Sequence, residues 1–154
     1  MELNNFRILF KAKRIDNGEW VDGALLQSED ASYIATSFLC ENPDTPLTVA
    51  AYEVDPDTIC QYTGLMDKNG EKIWEGDILR GYEYPYMCDG KENYYAEVTY
   101  FENCPAFCIY TFKNPKSNVR GISEGNTDFM TDWNSEAWEV IGNIFDNPEL
   151  LEVE

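Results

Sequence analysis

Paired carboxylates are the residues of this sequence with the most direct chemical potential. Asp55 and Asp57 are separated by Pro56, and Glu75 and Asp77 are separated by Gly76. Two carboxylates at this spacing can ligate Mg²⁺ and so support a metal-dependent hydrolase. The Pro and Gly between them are equally typical of turns in which Asp accepts hydrogen bonds from the backbone. We interpret both pairs as turns and keep the carboxylate-based hydrolase as the second alternative function.

The absence of histidine excludes several mechanisms. With no His in the chain, a Ser-His-Asp triad, a Cys-His pair and a histidine metal ligand are impossible. The five cysteines, at positions 40, 60, 88, 104 and 108, include no C-x-x-C pair, and no glycine-rich phosphate loop is present. We therefore predict a non-enzymatic protein in a reducing compartment, with no cofactor and no catalytic or metal-binding residues.

A run of tyrosines is the best candidate for an interaction surface. Tyr82, Tyr84 and Tyr86 alternate along the chain, and Tyr94 and Tyr95 follow closely. Tyrosine supplies a rigid amphipathic contact area at low entropic cost, which suits protein recognition. The alternative is that these rings cover the edge of a barrel or an interface between subunits.

The charge is strongly acidic. The chain has 29 acidic and 11 basic residues, giving a net charge of −18. Spread evenly, this leaves about 440 Å² of surface per charge, against about 100 Å² on duplex DNA. Mimicry of DNA, to inhibit a host nucleic-acid-binding protein, would need clustered acids and is kept as the first alternative function.

Direct contact with nucleic acid or membrane is not expected. Lys11, Lys13 and Arg14 form the densest basic group, and their spacing along a strand is not expected to concentrate them into the basic stripe that counterion release requires. No apolar run approaches the roughly 18 residues of a membrane-spanning helix.

The patterns of apolar and turn residues predict a mostly β fold, with α+β as the alternative. Asn17-Gly18 predicts a hairpin between strands at 6–13 and 20–26. The spacing of Gly64, Gly70 and Gly76 is typical of short strands in a small, tightly curved barrel. Further strands are predicted at 33–40, 47–54, 94–100, 107–112 and 138–145, with helical turns after Asp55 and at 147–151 and a long loop at 113–134.

Three segments carry a resemblance to a known family. They run from Ile8 to Val21, from Val54 to Ile78 and from Glu139 to Leu151. Their order and spacing resemble those of the YopX family of phage and prophage proteins, and the most specific part is Gln61-Tyr62-Thr63-Gly64-Leu65 with Glu75-Gly76-Asp77-Ile78. Cys60 departs from the family pattern, which usually has a small residue there.

The resemblance implies an SH3-like barrel at 55–154, an N-terminal β-rich extension at 1–54, self-association and a phage or prophage origin in a bacterial cytoplasm. It transfers no catalytic residue and no molecular function. The expected partners are the protein itself and a host or phage protein. The shared motif is interpreted as scaffold, with glycines at turns, rings in the core or an interface, and Asp67 and Asp77 as turn carboxylates, Asp67 opening the predicted tight turn Asp67-Lys68-Asn69-Gly70. The motif residues singled out are Gln61, Tyr62, Gly64, Leu65, Gly70, Trp74, Gly76 and Asp77.

Overall fold

The computed structural model of the chain describes residues 8–39, 42–44, 46, 48–81, 94–101, 106–113, 126–130 and 137–152. These ranges form a mostly β protein, which confirms the predicted fold class. The strands are β1 (Phe10–Lys13), β2 (Trp20–Gln27), β3 (Ser32–Leu39), β4 (Thr48–Val54), β5 (Cys60–Met66), β6 (Lys72–Trp74), β7 (Asp77–Gly81), β8 (Tyr94–Phe101), β9 (Ala106–Lys113), β10 (Asn126–Phe129) and β11 (Glu139–Asn143). Two 3-10 turns occupy Pro56–Thr58 and Pro148–Glu152. Within the described ranges, no helix combines the length and apolar character needed to cross a membrane.

The chain divides into two compact units, Met1–Tyr62 and Thr63–Glu154. The dividing point lies inside β5, so a single strand contributes residues to both units. The small barrel, its SH3-like character, and its predicted extent of 55–154 beside an extension of 1–54 stay predictions.

The first unit is built on the predicted hairpin. Asn17-Gly18 lies between β1 and β2, and Gly18 takes a φ of 73°, which favours glycine. The strand order runs β4-β3-β2-β1, and Cys60 and Gln61 of β5 pair with the other edge of β1. A small apolar core holds this sheet; its members are Ala12, Ile34 and Val54, packed with Phe10, Val21, Leu25 and Ile59.

The second unit contains an antiparallel sheet in the order β10-β9-β8-β7-β11. Its alternating residues bury one face, and Trp138 supplies the largest fully buried side chain. The buried cluster contains Ile73, Leu79, Ala96, Val98, Ile109 and Trp138. In the same unit, the hydroxyl of Thr63 donates to the carbonyl of Ile73 at 2.7 Å, which links β5 to β6.

The prediction of a long loop at 113–134 is wrong in part. Residues Asn126–Phe129 form β10, which pairs antiparallel with β9 from Thr111 to Cys108. The four residues Asn-Thr-Asp-Phe lack a run of strand-forming side chains, so local propensity did not indicate them. Their strand conformation is set by the backbone hydrogen bonds that the edge of β9 offers.

Candidate interaction surface

The predicted tyrosine surface lies mostly outside the described residues. This applies to Tyr82, Tyr84 and Tyr86, and only the backbone of Tyr94, at the start of β8, is described. Tyr95 is half-buried, and its ring centroid lies 6.3 Å from that of Phe112 on β9. The tyrosine surface therefore stays a prediction.

The residues of the family motif lie along β5, β6 and the two turns that follow them. Gln61 and Leu65 are half-buried, and Tyr62 is buried, which raises the pKa of its phenol. Gly70 and Gly76 lie in turns, with φ of 79° and 82°. Gly64 has a φ of 85° but lies inside β5 and not at a turn.

The remaining motif residues hold the turn between β6 and β7. Trp74 and Asp77 are both buried, and a carboxylate oxygen of Asp77 accepts the backbone N–H of Trp74 at 2.8 Å. At Gly76, which lies between them, an added Cβ would contact Ile144 and Phe145 at 3.5 Å. The hydrogen bond from Trp74 thus gives Asp77 a structural role in this turn.

Asp67, predicted as a turn residue, makes hydrogen bonds both within its turn and to a distant strand. It is buried, and its Oδ1 accepts the backbone N–H of Asn69 at 2.8 Å and of Glu71 at 2.9 Å. Its Oδ2 accepts the N–H of Val140 at 2.9 Å, across 73 residues of sequence. The Asp67-x-Asn69-Gly70 pattern indicates the local turn, but no local signal indicates the bond to β11.

A small ionic group lies beside this turn. Glu139 accepts a hydrogen bond from Arg80 at 2.8 Å, and the ammonium of Lys68 lies 3.8 Å from the same carboxylate. The hydrogen bond from Arg80, and then the charges of Arg80 and Lys68, lower the pKa of Glu139. The contacts between these opposite charges join β7, β11 and the turn at Asp67.

The other paired carboxylates act locally. Asp55 caps the 3-10 turn at Pro56–Thr58 by accepting the N–H of Asp57 at 3.0 Å. Within the described ranges, no group of three or more His, Cys, Asp or Glu residues could hold a metal ion. Of the cysteines, Cys60 and Cys108 are buried, and the other three lie outside the described residues.

The basic residues of β1 are concentrated more than their spacing predicted. The ammonium groups of Lys11 and Lys13 lie 4.8 Å and 5.4 Å from the centroid of the Trp20 ring. The two lysines share one face of β1, and register places Trp20 opposite Lys13 on β2. The Trp20 ring therefore attracts both ammonium groups, and the expectation that the basic residues form no stripe for nucleic acid stays a prediction.

A two-stranded segment of the first unit extends beyond its sheet. β2 pairs with β3 only along Ser32–Ala35, and the β3–β4 register shifts between Ala35 and Ser37. Past that bulge, β3 and β4 pair with each other as far as Leu39 and Thr48. We call residues 36–39 and 48–50 the arm. An isolated two-stranded hairpin is only marginally stable in water, so the arm would be stabilised by added contacts.

The arm has an exposed and uncharged surface. β3 and β4 have eight and seven residues and include one charged side chain, Glu53, in a chain that is 26% charged. Six of the seven residues of β4 are exposed. Leu39 is 57% exposed and Val49 is 36% exposed. Such a surface contrasts with the acidic character of the chain and marks the arm as the candidate interaction surface.

The base of the arm is fixed to β1. The guanidinium of Arg14 lies 4.1 Å from the centroid of the Tyr52 ring, and Arg14 forms a bridge with Val54. Asp16 accepts hydrogen bonds from Arg14, and those bonds lower the pKa of the Asp16 carboxyl. The backbone N–H of Ile15 donates to the carbonyl of Glu53 at 3.1 Å. β4 is therefore anchored at its C-terminal end.

Comparison with known proteins gives a family match and a structural neighbour. The profile of a family described as YopX protein matches residues 9–152. Among solved structures, the chain is similar to protein EF1440 from Enterococcus faecalis, with a TM-score of 0.57 and 26% sequence identity, over 94% of this chain and 97% of that chain. No match was found among curated proteins.

Proposed function

The chain belongs to the YopX family, and from that premise we propose that it is a non-enzymatic interaction protein that associates with copies of itself. Its setting in this proposal is a phage or prophage accessory role in the cytoplasm of a bacterial host. A host or phage protein would be a further partner of the assembled form.

The observation that carries this proposal is the exposed, uncharged arm. Two copies that each have a net charge of −18 repel one another, and the repulsion is smallest where they meet on a surface with few charges. Leu39, Val49 and the residues of β4 provide such a place. Burial of this apolar surface in a contact between copies would stabilise both the contact and the arm.

Sedimentation velocity over a range of protein concentrations tests the proposal. We expect the wild-type chain to shift to a larger species as its concentration rises. Val49→Glu places a charge on the arm and is expected to weaken that shift. Ile8→Glu is the matched control, since Ile8 is also an exposed apolar residue, at 70%, and lies outside the arm. A chain that stays monomeric at every concentration would refute self-association.

A further inference from the structure

We propose that two copies associate by antiparallel pairing of β4 with β4 of the second copy, about a twofold axis at Ala50. This inference rests on the proposed function and specifies the contact that makes it. Each arm would thereby gain a third and a fourth strand, and the two sheets would become continuous.

The backbone bonds at the base of β4 show which groups point away from β3. On that outer edge, the carbonyl of Glu53 accepts from Ile15, and the N–H of Asp55 donates to Lys13. Successive residues of a strand point their N–H and C=O groups to opposite edges. The backbone groups of Val49 and Ala51 therefore also point to the outer edge, away from β3. Ala50 points toward β3, where its carbonyl accepts from the hydroxyl of Thr36 at 3.4 Å.

The outward backbone groups of Val49 and Ala51 favour one register. Within the described ranges, no strand pairs with this edge at Thr48–Tyr52. If Ala50 faces Ala50 of the second copy, Val49 of each copy faces Ala51 of the other. Both of those pairs then exchange two backbone hydrogen bonds, four in all, and Ala50 forms a close pair without hydrogen bonds. A register centred on Ala51 would instead require the Glu53 carbonyl, which Ile15 already occupies.

Charge also favours a second copy as the occupant. Between Thr48 and Tyr52 there is no charged residue, so no like charges meet across the axis. In this register the two Glu53 side chains lie six residue positions apart along the strands, about 20 Å, which exceeds the Debye length of about 8 Å at physiological salt. Thr48 faces Tyr52 of the second copy, a pairing of two residues that strands favour.

The edge strand β11 is less suitable for such pairing. β11 has an irregular register between Val140 and Gly142, and the Asn147 side chain lies against Gly142. Bulges and covering side chains of this kind protect an edge from another chain. The bulge between β3 and β4 places its extra residue, Thr36, on β3, and β4 itself contains no Pro, Gly or Lys, so β4 lacks these protections.

Charge exchange at Ala50 tests the register directly. Ala50→Glu and Ala50→Lys each place two like charges opposite one another, and each is expected to weaken dimerisation by roughly fivefold. Because the position faces itself, an equal mixture of the two variants pairs Glu with Lys, and sedimentation should show dimerisation restored. The matched mixture of Ile8→Glu and Ile8→Lys is expected to behave like the wild-type chain.

A cross-link provides a second readout that does not depend on affinity. In a close antiparallel pair the two Cα atoms lie about 4.5 Å apart, which allows a disulfide. We expect oxidised Ala50→Cys to yield a peptide joined to its own copy at position 50, identified by mass spectrometry without reduction. Ile8→Cys should yield no such product.

The outcomes separate this inference from the proposed function. A wild-type dimer with neither rescue by the mixture nor a cross-link at position 50 would overturn the β4 pairing and leave self-association standing. A chain that remains monomeric up to about 100 µM has an association free energy weaker than about 5 kcal/mol. That result would overturn both the β4 pairing and self-association. That second outcome would direct attention to a strand of a different protein as the occupant.

Discussion

At the scale of the residue, the structure distinguishes carboxylates that the sequence presents as equivalent. Asp67 and Asp77 are buried and accept backbone N–H groups, whereas Asp55 is an exposed cap. Glu97 differs from all of these. It lies in β8 between Ile78 on β7 and Tyr110 on β9, and burial raises the pKa of its carboxyl. Acidic residues of this chain therefore contribute to stability with different signs.

Glu97→Gln is expected to stabilise the protein near neutral pH. The folded protein holds a proton at Glu97 more tightly than the unfolded chain does, because burial raises the folded-state pKa. The contribution of Glu97 protonation to the free energy of unfolding is therefore fully present below about pH 4, and it decreases as pH rises toward the raised pKa. Urea unfolding at several pH values should show the variant more stable at neutral pH, with the difference vanishing in acid.

Glu29→Gln provides the control for that measurement. Glu29 is exposed in the turn between β2 and β3, and its replacement removes the same charge. If Glu29→Gln reproduced the effect, general relief of acidic repulsion would explain it and the role of burial at Glu97 would be refuted.

At the scale of the element, one carboxylate connects parts of the second unit that are distant in sequence. Asp67 closes the turn between β5 and β6 and also holds Val140 of β11. Lys68 donates its backbone N–H to the carbonyl of Trp138 at 3.0 Å beside it. The turn and the strand are thus held together by several adjacent backbone contacts, which position Trp138 in the core.

Asp67→Ala is expected to lower the free energy of unfolding by about 2 kcal/mol, since it leaves the backbone N–H groups of Asn69, Glu71 and Val140 without their charged acceptor. Asp67→Asn can keep one carbonyl acceptor but must turn an amide nitrogen toward a backbone N–H. Hydrogen exchange should then show faster exchange at Val140 or at Asn69 and Glu71, depending on that orientation. Asp30→Asn, at an exposed turn position, is the control and should leave all three amides unchanged.

At the scale of the whole molecule, the net charge of −18 opposes any contact between copies. Salt screens this repulsion, and the proposed contact through the arm contains no ion pair that salt would weaken. The charge therefore affects the strength of association without determining where the contact forms.

Self-association is expected to strengthen as NaCl rises from about 50 mM to about 500 mM, because the Debye length falls several-fold over that range. Sedimentation equilibrium at fixed protein concentration measures it. An acidic mimic bound to a basic DNA-binding protein would show the opposite dependence, with binding weakened by salt. Self-association that weakened with salt would contradict an uncharged contact.

The sequence by itself determined the features that depend on local physics. Asn17-Gly18, Asp55-Pro56-Asp57 and Asp67-x-Asn69-Gly70 indicated their turns, because these residue types adopt turn conformations or accept nearby backbone N–H groups. Alternating residues indicated β8 and β9, runs of strand-forming residues bounded by turn signals indicated β3 and β4, and the motif from Gln61 to Ile78 indicated the family.

Only the tertiary structure decided the features that join distant residues. The bond from Asp67 to Val140, the gathering of Lys11 and Lys13 on Trp20, and the strand at Asn126–Phe129 all depend on register between strands. The arm is also of this kind: the sequence predicted β3 and β4, but their exposure follows from β2 pairing with β3 only as far as Ala35. Strand propensity acts within a few residues, whereas register is set by which edges meet.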